Sequence, residues 1–205
     1  ELTRKEYEAA KSQGYPLKLI AARQSYAGER TADTSIERAA ITESFIEIFD
    51  DWFMKGNAAV EPFAYMVNKK VLLVEGAGSH EFESCIFTDK CHSQGVSIEP
   101  NGDFYFCQEL ADLKVMKLGN LVEGSVDKTA IAASQFRSAN IMASCATCEH
   151  YKVCRGGCMA NSIDGLVGAH NKDPYCTMYK EIFNRIDKAI EKVGYSKIKQ
   201  WLNQL

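Results

Sequence analysis

The sequence predicts an α+β protein in two parts: a mainly helical segment, 1–75, and a small cysteine-rich domain, 76–205, with a β-hairpin and flanking helices. Three observations predict it. Apolar residues recur at helical spacing before residue 75 and after residue 178, as in Phe45, Ile48, Phe49 and Trp52. Between them, Val96, Ile98, Phe104 and Phe106 alternate about an Asn101-Gly102 turn, the signature of a tight hairpin. All eight cysteines lie between residues 85 and 176.

Taken in order, residues 3–13 form a polar helix ended by Gly14, with Pro16 blocking its continuation. Pro16 to Ala22 is an apolar run that fits a buried strand or a helix start. Residues 23–40 read as loop. Ile41 to Lys55 is a helix with Thr42 as N-cap and Phe45, Ile48, Phe49, Trp52 and Phe53 on its inner face. Pro62 suits the first turn of the next helix, which runs to about Asn68; Val71 to Val74 extends it or begins a strand. Gly76-Ala77-Gly78 is a loop without the flanking strand of a nucleotide-binding fingerprint, and a boundary falls at 76–84. After the hairpin, Leu118-Gly119-Asn120 reads as a turn, and Thr129 to Met142 as a helix delivering the chain to Cys145. Met178 to Val193 is amphipathic, with Tyr179, Ile182, Phe183, Ile186 and Ile190 inward; Ser196 caps a last helix carrying Ile198, Trp201, Leu202 and Leu205.

The 205 residues carry 46% hydrophobic and 25% charged side chains, ordinary globular values that supply an ample core. A net charge of −3 argues against nucleic acid or an anionic membrane as partner. No apolar run approaches the roughly 18 residues of a membrane span, and no secretory signal opens the chain, so a cytoplasmic location is expected.

The cysteines carry the chemistry. Cys145, Cys148, Cys154 and Cys158 read C-x2-C-x5-C-x3-C, and Cys176 comes after a gap. Thiolates so close in sequence offer soft donors for zinc or an iron–sulfur cluster. Gly156-Gly157 permits a bend that could swing Cys158 away from the centre Cys154 serves. Bacterial two-cluster ferredoxins show such a crossing, the last cysteine of their C-x2-C-x2-C-x3-C run ligating the other cluster. Three readings compete. Two four-iron clusters use all eight thiolates; zinc sites usually show two short C-x2-C pairs, and one occurs here; disulfide scaffolds are smaller and richer in cysteine.

The full register is C-x5-C-x10-G-x4-C, then C-x2-C-x5-C-x3-C, then a last cysteine, with Cys85 opening it and Gly102 as its glycine. It resembles the SPASM domain that follows the barrel of many radical S-adenosylmethionine enzymes, sulfatase-maturating enzymes and makers of modified peptides among them. Leu118-Gly119-Asn120 and Arg155-Gly156-Gly157 belong to the likeness, which covers about 85–180. The resemblance implies one [4Fe–4S] cluster on Cys85, Cys91, Cys107 and Cys158, and a second on Cys145, Cys148, Cys154 and Cys176. It implies electron transfer out of an oxidised peptide or protein substrate, and a scaffolding role for the clusters. Residues 1–75 would be the last elements of a truncated (β/α) barrel with linking helices.

Two departures shape the expectation. The chain lacks C-x3-C-x2-C, which in the family holds the S-adenosylmethionine-cleaving cluster, so that cofactor and a third cluster belong to a longer protein or a partner barrel. Where sulfatase-maturating enzymes place an aspartate base after the ligand matching Cys107, this chain has Gln108, a neutral amide that cannot take the proton. That favours a maker of peptide cross-links over a sulfatase maturase. No catalytic residue is assigned; Glu109, one residue along, could substitute as base, but an ordinary solvated carboxylate is the favoured reading. His92 and His150 flank ligand positions but are not needed as ligands; His80 and His170 have no sequence partner. Alternatives outside this class are a stand-alone iron–sulfur electron carrier or binding module, and a structural zinc module.

Overall fold

A computed structural model of the chain describes residues 2–21, 34–76, 85–164 and 169–205. The expected loop at 23–33, Ala77 and Gly78 of the expected glycine loop, and His80 lie outside them. Two compact units emerge, the first built from both ends of the chain and the second from the cysteine-rich middle, ending at Cys176.

In the first unit, α1 (Leu2–Gln13) leads to β1 (Leu17–Lys18), which pairs parallel to β2 (Val60–Glu61). Of the apolar run after Pro16, Leu17 and Lys18 form a short strand that is partly exposed rather than buried. Between these strands runs α2 (Thr34–Trp52), longer at its N-terminus than the sequence suggested. Residues 34–40 are helical, and Thr42 is an interior residue rather than a cap. Nothing in Glu37-Arg38-Ala39-Ala40 breaks a helix, so polarity alone misplaced the boundary. The expected inner face holds: Phe45, Ile48, Phe49 and Trp52 are buried against Phe63, Met66 and Val67 of α3 (Phe63–Val74), which continues through Val71–Val74. The Phe63 ring meets Phe45, Phe49 and Trp52 at 5.4–5.9 Å.

The last two helices, α8 (Cys176–Val193) and α9 (Tyr195–Leu202), belong to this unit from Thr177 onward, not to the cysteine-rich part with which sequence order grouped them. Their apolar faces explain it. Met178, Tyr179, Ile182, Phe183 and Ile186 are buried, and Lys70 of α3 pairs with Asp187 at 2.6 Å. Gly194, at φ 83°, occupies the N-cap position expected for Ser196. Trp201 closes the unit, its ring 4.9 Å from Trp52 and its Nε1 donating to the Gly56 carbonyl at 3.1 Å. Trp201→Ala should lower stability by about 2–3 kcal/mol, below the value for a fully buried tryptophan because the ring is half-exposed. Urea denaturation measures it; an unchanged midpoint would make α9 peripheral.

The second unit centres on an antiparallel meander, β3 (Ser97–Ile98), β4 (Asp103–Tyr105), β5 (Lys117–Asn120) and β6 (Ser125–Val126). The predicted hairpin forms, with Ser97 opposite Tyr105 and Gly102 at φ 87° in its turn. Leu118-Gly119-Asn120 is strand, not turn. A Cβ on Gly119 would stand 2.0 Å from the Ser125 carbonyl oxygen, so glycine serves close strand approach there. The buried Asn120 side chain joins both ends of the meander. It donates to the Asn101 carbonyl and Asp103, and accepts from the Val122 and Glu123 amides. After β6, Asp127 caps α5 (Lys128–Ser144) by accepting from the Thr129 amide at 2.7 Å. Among the described residues, no helix is long and apolar enough to cross a membrane.

Candidate metal centre

All but one of the cysteines sit where an element starts or stops. Cys85 and Cys91 open short 3-10 turns at 85–87 and 91–93. Cys107 leaves β4 in extended backbone and is the N-cap position of α4 (Gln108–Asp112). Cys145 ends α5, Cys148 lies in the next turn, and Cys154 ends α6 (Tyr151–Cys154). Cys158 precedes α7 (Met159–Asp164), and Cys176 is the first residue of α8. All eight are free thiols.

Packing brings Cys158 to cysteines far upstream in sequence. Cys158 is buried with Tyr105, Phe106, Leu110, Ala111 and Met159 in one apolar core, against which Cys91 and Cys107 also pack. The Cys91 thiol is pushed up to about 12, by burial first and then by the negative charge of Cys158, with Cys107 and Cys85 adding to it and Arg137 opposing. Burial likewise pushes Cys154 up to about 12; Cys176 is its strongest charged neighbour, Cys148 adds to the rise, and the Gly156 amide opposes it. The cysteines that act on Cys91 are thus Cys158, Cys107 and Cys85, and those that act on Cys154 are Cys176 and Cys148.

The turn that moves Cys158 is built on positive φ. Arg155, Gly156 and Gly157 stand at 50°, 79° and 73°. A Cβ on Gly156 would lie 2.6 Å from Ile141 Cγ2, and one on Gly157 would lie 2.4 Å from Asp173 Cβ. Asp173, buried, holds the chain on both sides of this turn. Its carboxylate accepts from the Cys158 amide at 2.9 Å, Asn161 Nδ2 at 2.9 Å and the Tyr175 amide at 2.8 Å. Its own amide donates to the Gly156 carbonyl at 2.8 Å. Burial raises its pKa, and these donors together with Arg137 pull against that rise.

The other loop is anchored through Asp89. Tyr151 Oη donates to its carboxylate at 3.2 Å, and Ser138 Oγ of α5 donates to its carbonyl. Cys91 is thereby tied to the helix that carries Cys145. Sequence reading missed Asp89, Ser138, Arg137 and Asp173. Only Arg137 left a signal: it shares the buried stripe Ala130, Ser134, Ile141 of α5, where a charge needs a reason.

Glu109 is half-buried in α4, while Gln108 is exposed and spends its amide on Ser97 and Asp112. His92 Nδ1 lies 3.3 Å from Ser134 Oγ, and His150 is buried at the N-terminus of α6. His170 lends its carbonyl to Asn140.

Among the described residues, no three His, Cys, Asp or Glu side chains gather closely enough to hold a single metal ion. A polynuclear cluster takes one thiolate at each iron and so needs donors that stand apart. The donor set is all sulfur, with Cys158 buried, Cys85 exposed and the other six partly buried, and soft donors of this kind fit that group.

The mixed helix and strand scaffold is similar to known proteins, in sequence over part of the chain and in fold over nearly all of it. In sequence, the chain is 33% identical over 82 residues to the mycofactocin maturase MftC of Mycobacterium ulcerans (strain Agy99), a stretch of 38% of this chain and 22% of that protein. In fold, it is similar to anSMEcpe with bound AdoMet, at a TM-score of 0.59 and 18% identity, over 98% of this chain and 54% of that one. The same protein with bound AdoMet and Cp18Cys peptide matches at a TM-score of 0.51 and 16% identity, over 94% and 55%. The chain thus spans about half of the solved chains and about a fifth of the curated relative. No family model matches it.

Proposed function

We propose that this chain is the auxiliary-cluster portion of a radical S-adenosylmethionine enzyme that oxidatively modifies a peptide or protein, of the cross-linking maturase kind. The observation that supports the reading is that Cys158 lies in a buried apolar core against which Cys91 and Cys107 also pack. Cys85, Cys91, Cys107 and Cys158 would hold one [4Fe–4S] cluster; Cys145, Cys148, Cys154 and Cys176 the other. Such clusters supply one-electron transfer. The protein's own contribution is to fix most of the thiols at element ends and to bury them in part, and local burial and hydrogen bonding govern the potential. With four thiolates for each cluster, no iron is left for substrate.

The maturase likeness and the peptide bound to anSMEcpe support a peptide substrate. Radical generation is assigned to a barrel carrying C-x3-C-x2-C, outside these 205 residues, with residues 1–75 as the end of that barrel and its linking helices. Gln108, occupied by Ser97 and Asp112, offers no proton acceptor of carboxylate strength, which weighs against sulfatase maturation.

Anaerobic reconstitution of the chain should load about eight irons and as many sulfides, the sum of two four-iron clusters. A colourless protein holding zinc would replace this reading with the structural zinc module. A brown protein that works as an electron carrier without any barrel would replace it with the stand-alone one.

A further inference from the structure

Arg137 is fully buried in α5, and its guanidinium spends both terminal nitrogens on backbone carbonyls. Nη2 donates to Gly157 at 3.0 Å and Gly156 at 3.3 Å; Nη1 donates to Asn171, to Ala169 at 3.2 Å and to Ser162 Oγ at 3.4 Å. These bonds clamp the turn that delivers Cys158. Nε is left over, a buried donor with no hydrogen-bond acceptor among the nitrogen, oxygen and sulfur atoms of the described residues. Buried donors are almost always satisfied, so an unmatched one needs an explanation. The charges acting most strongly on this cation are those of Cys91 and Cys158, ahead of Asp173 and Asp89. A cluster sulfide would satisfy the fifth N–H, which the protein's own atoms leave open.

We propose that Arg137 is a positioning and tuning residue for the Cys85–Cys91–Cys107–Cys158 centre, clamping the Cys158 turn through Nη1 and Nη2 and donating Nε–H to a sulfur of that centre. The inference rests on the cluster assignment above. A hydrogen bond and a fixed positive charge at cluster sulfur both favour the more negative, reduced state, so they raise the potential. Lysine at 137 keeps the charge and can still reach a turn carbonyl, but loses the planar fork and its Nε–H.

The test uses the iron-loaded chain, reduced and labelled with 15N-arginine, in an Arg155→Lys background so that the arginine beside Cys154 does not contribute. Electron–nuclear double resonance should show an arginine nitrogen coupled to cluster spin, and R137K should abolish it. In redox titrations R137K should lower the reduced-to-oxidised ratio of one cluster about tenfold at fixed potential, about 59 mV for one electron, and leave the other unmoved. Full iron loading without that coupling overturns the inference while the cluster assignment stands, and the labelled chain decides this even if R137K fails to fold. Coupling with no potential shift in a loaded R137K overturns the tuning role. A chain that takes up no iron overturns both.

Discussion

Cys158→Ala should leave a chain that still binds about four of about eight irons, with the first cluster lost and the second intact. Four thiolates within fourteen residues, Cys145 to Cys158, could by sequence proximity serve one metal. The fold opposes that grouping, because Cys158 shares its apolar core with Cys91 and Cys107. Removing its sulfur therefore strikes a centre whose remaining ligands lie some fifty or more residues upstream. Cys176→Ala is the mirror experiment and should spare the first cluster. Iron analysis with low-temperature electron paramagnetic resonance of each variant reads the outcome. A C158A chain that loses the centre on Cys145, Cys148 and Cys154 would refute the crossing and the assignment built on it.

Gly157→Ala should be among the most destabilising single substitutions in the cysteine-rich unit, at about 2–5 kcal/mol. Two costs combine. A side chain at φ 73° is strained by about 1–2 kcal/mol, and the added Cβ would sit 2.4 Å from Asp173 Cβ, an overpacking worth about 1–3 kcal/mol. Asp173 cannot yield without releasing the Cys158 amide it binds. Gly76→Ala is the control that separates the two costs. Its φ is 76°, but nothing lies within 4 Å of the added carbon, so it should cost about 1–2 kcal/mol. Urea denaturation of the metal-free chain compares them, and equal losses would show that strain alone matters. G157A should also fail to load the first cluster, since its turn aims Cys158.

Local patterns read well wherever chemistry and spacing act within a few residues. The Asn101-Gly102 turn, the Phe45-to-Trp52 stripe and the face of α8 appear as expected, because side-chain period and turn chemistry are local properties. Boundaries read less well. Residues 34–40 are polar and helical at once, and Leu118-Gly119-Asn120 looked like a turn although its glycine serves strand approach. A glycine marks that the backbone needs room without stating for what.

By itself the sequence determined the number and spacing of the thiols, the helix–hairpin–helix order, and the need for two glycines before Cys158. Only the tertiary structure decided which buried groups hold that turn. Ile141 and Arg137 come from one helix, Asp173 from a later loop, and no sequence spacing announces their meeting. It also decided that the chain's last helices join its first. The reason is physical: a cysteine ladder fixes local reach, whereas long-range partners are chosen by the burial of apolar faces, and such faces carry no address in the sequence.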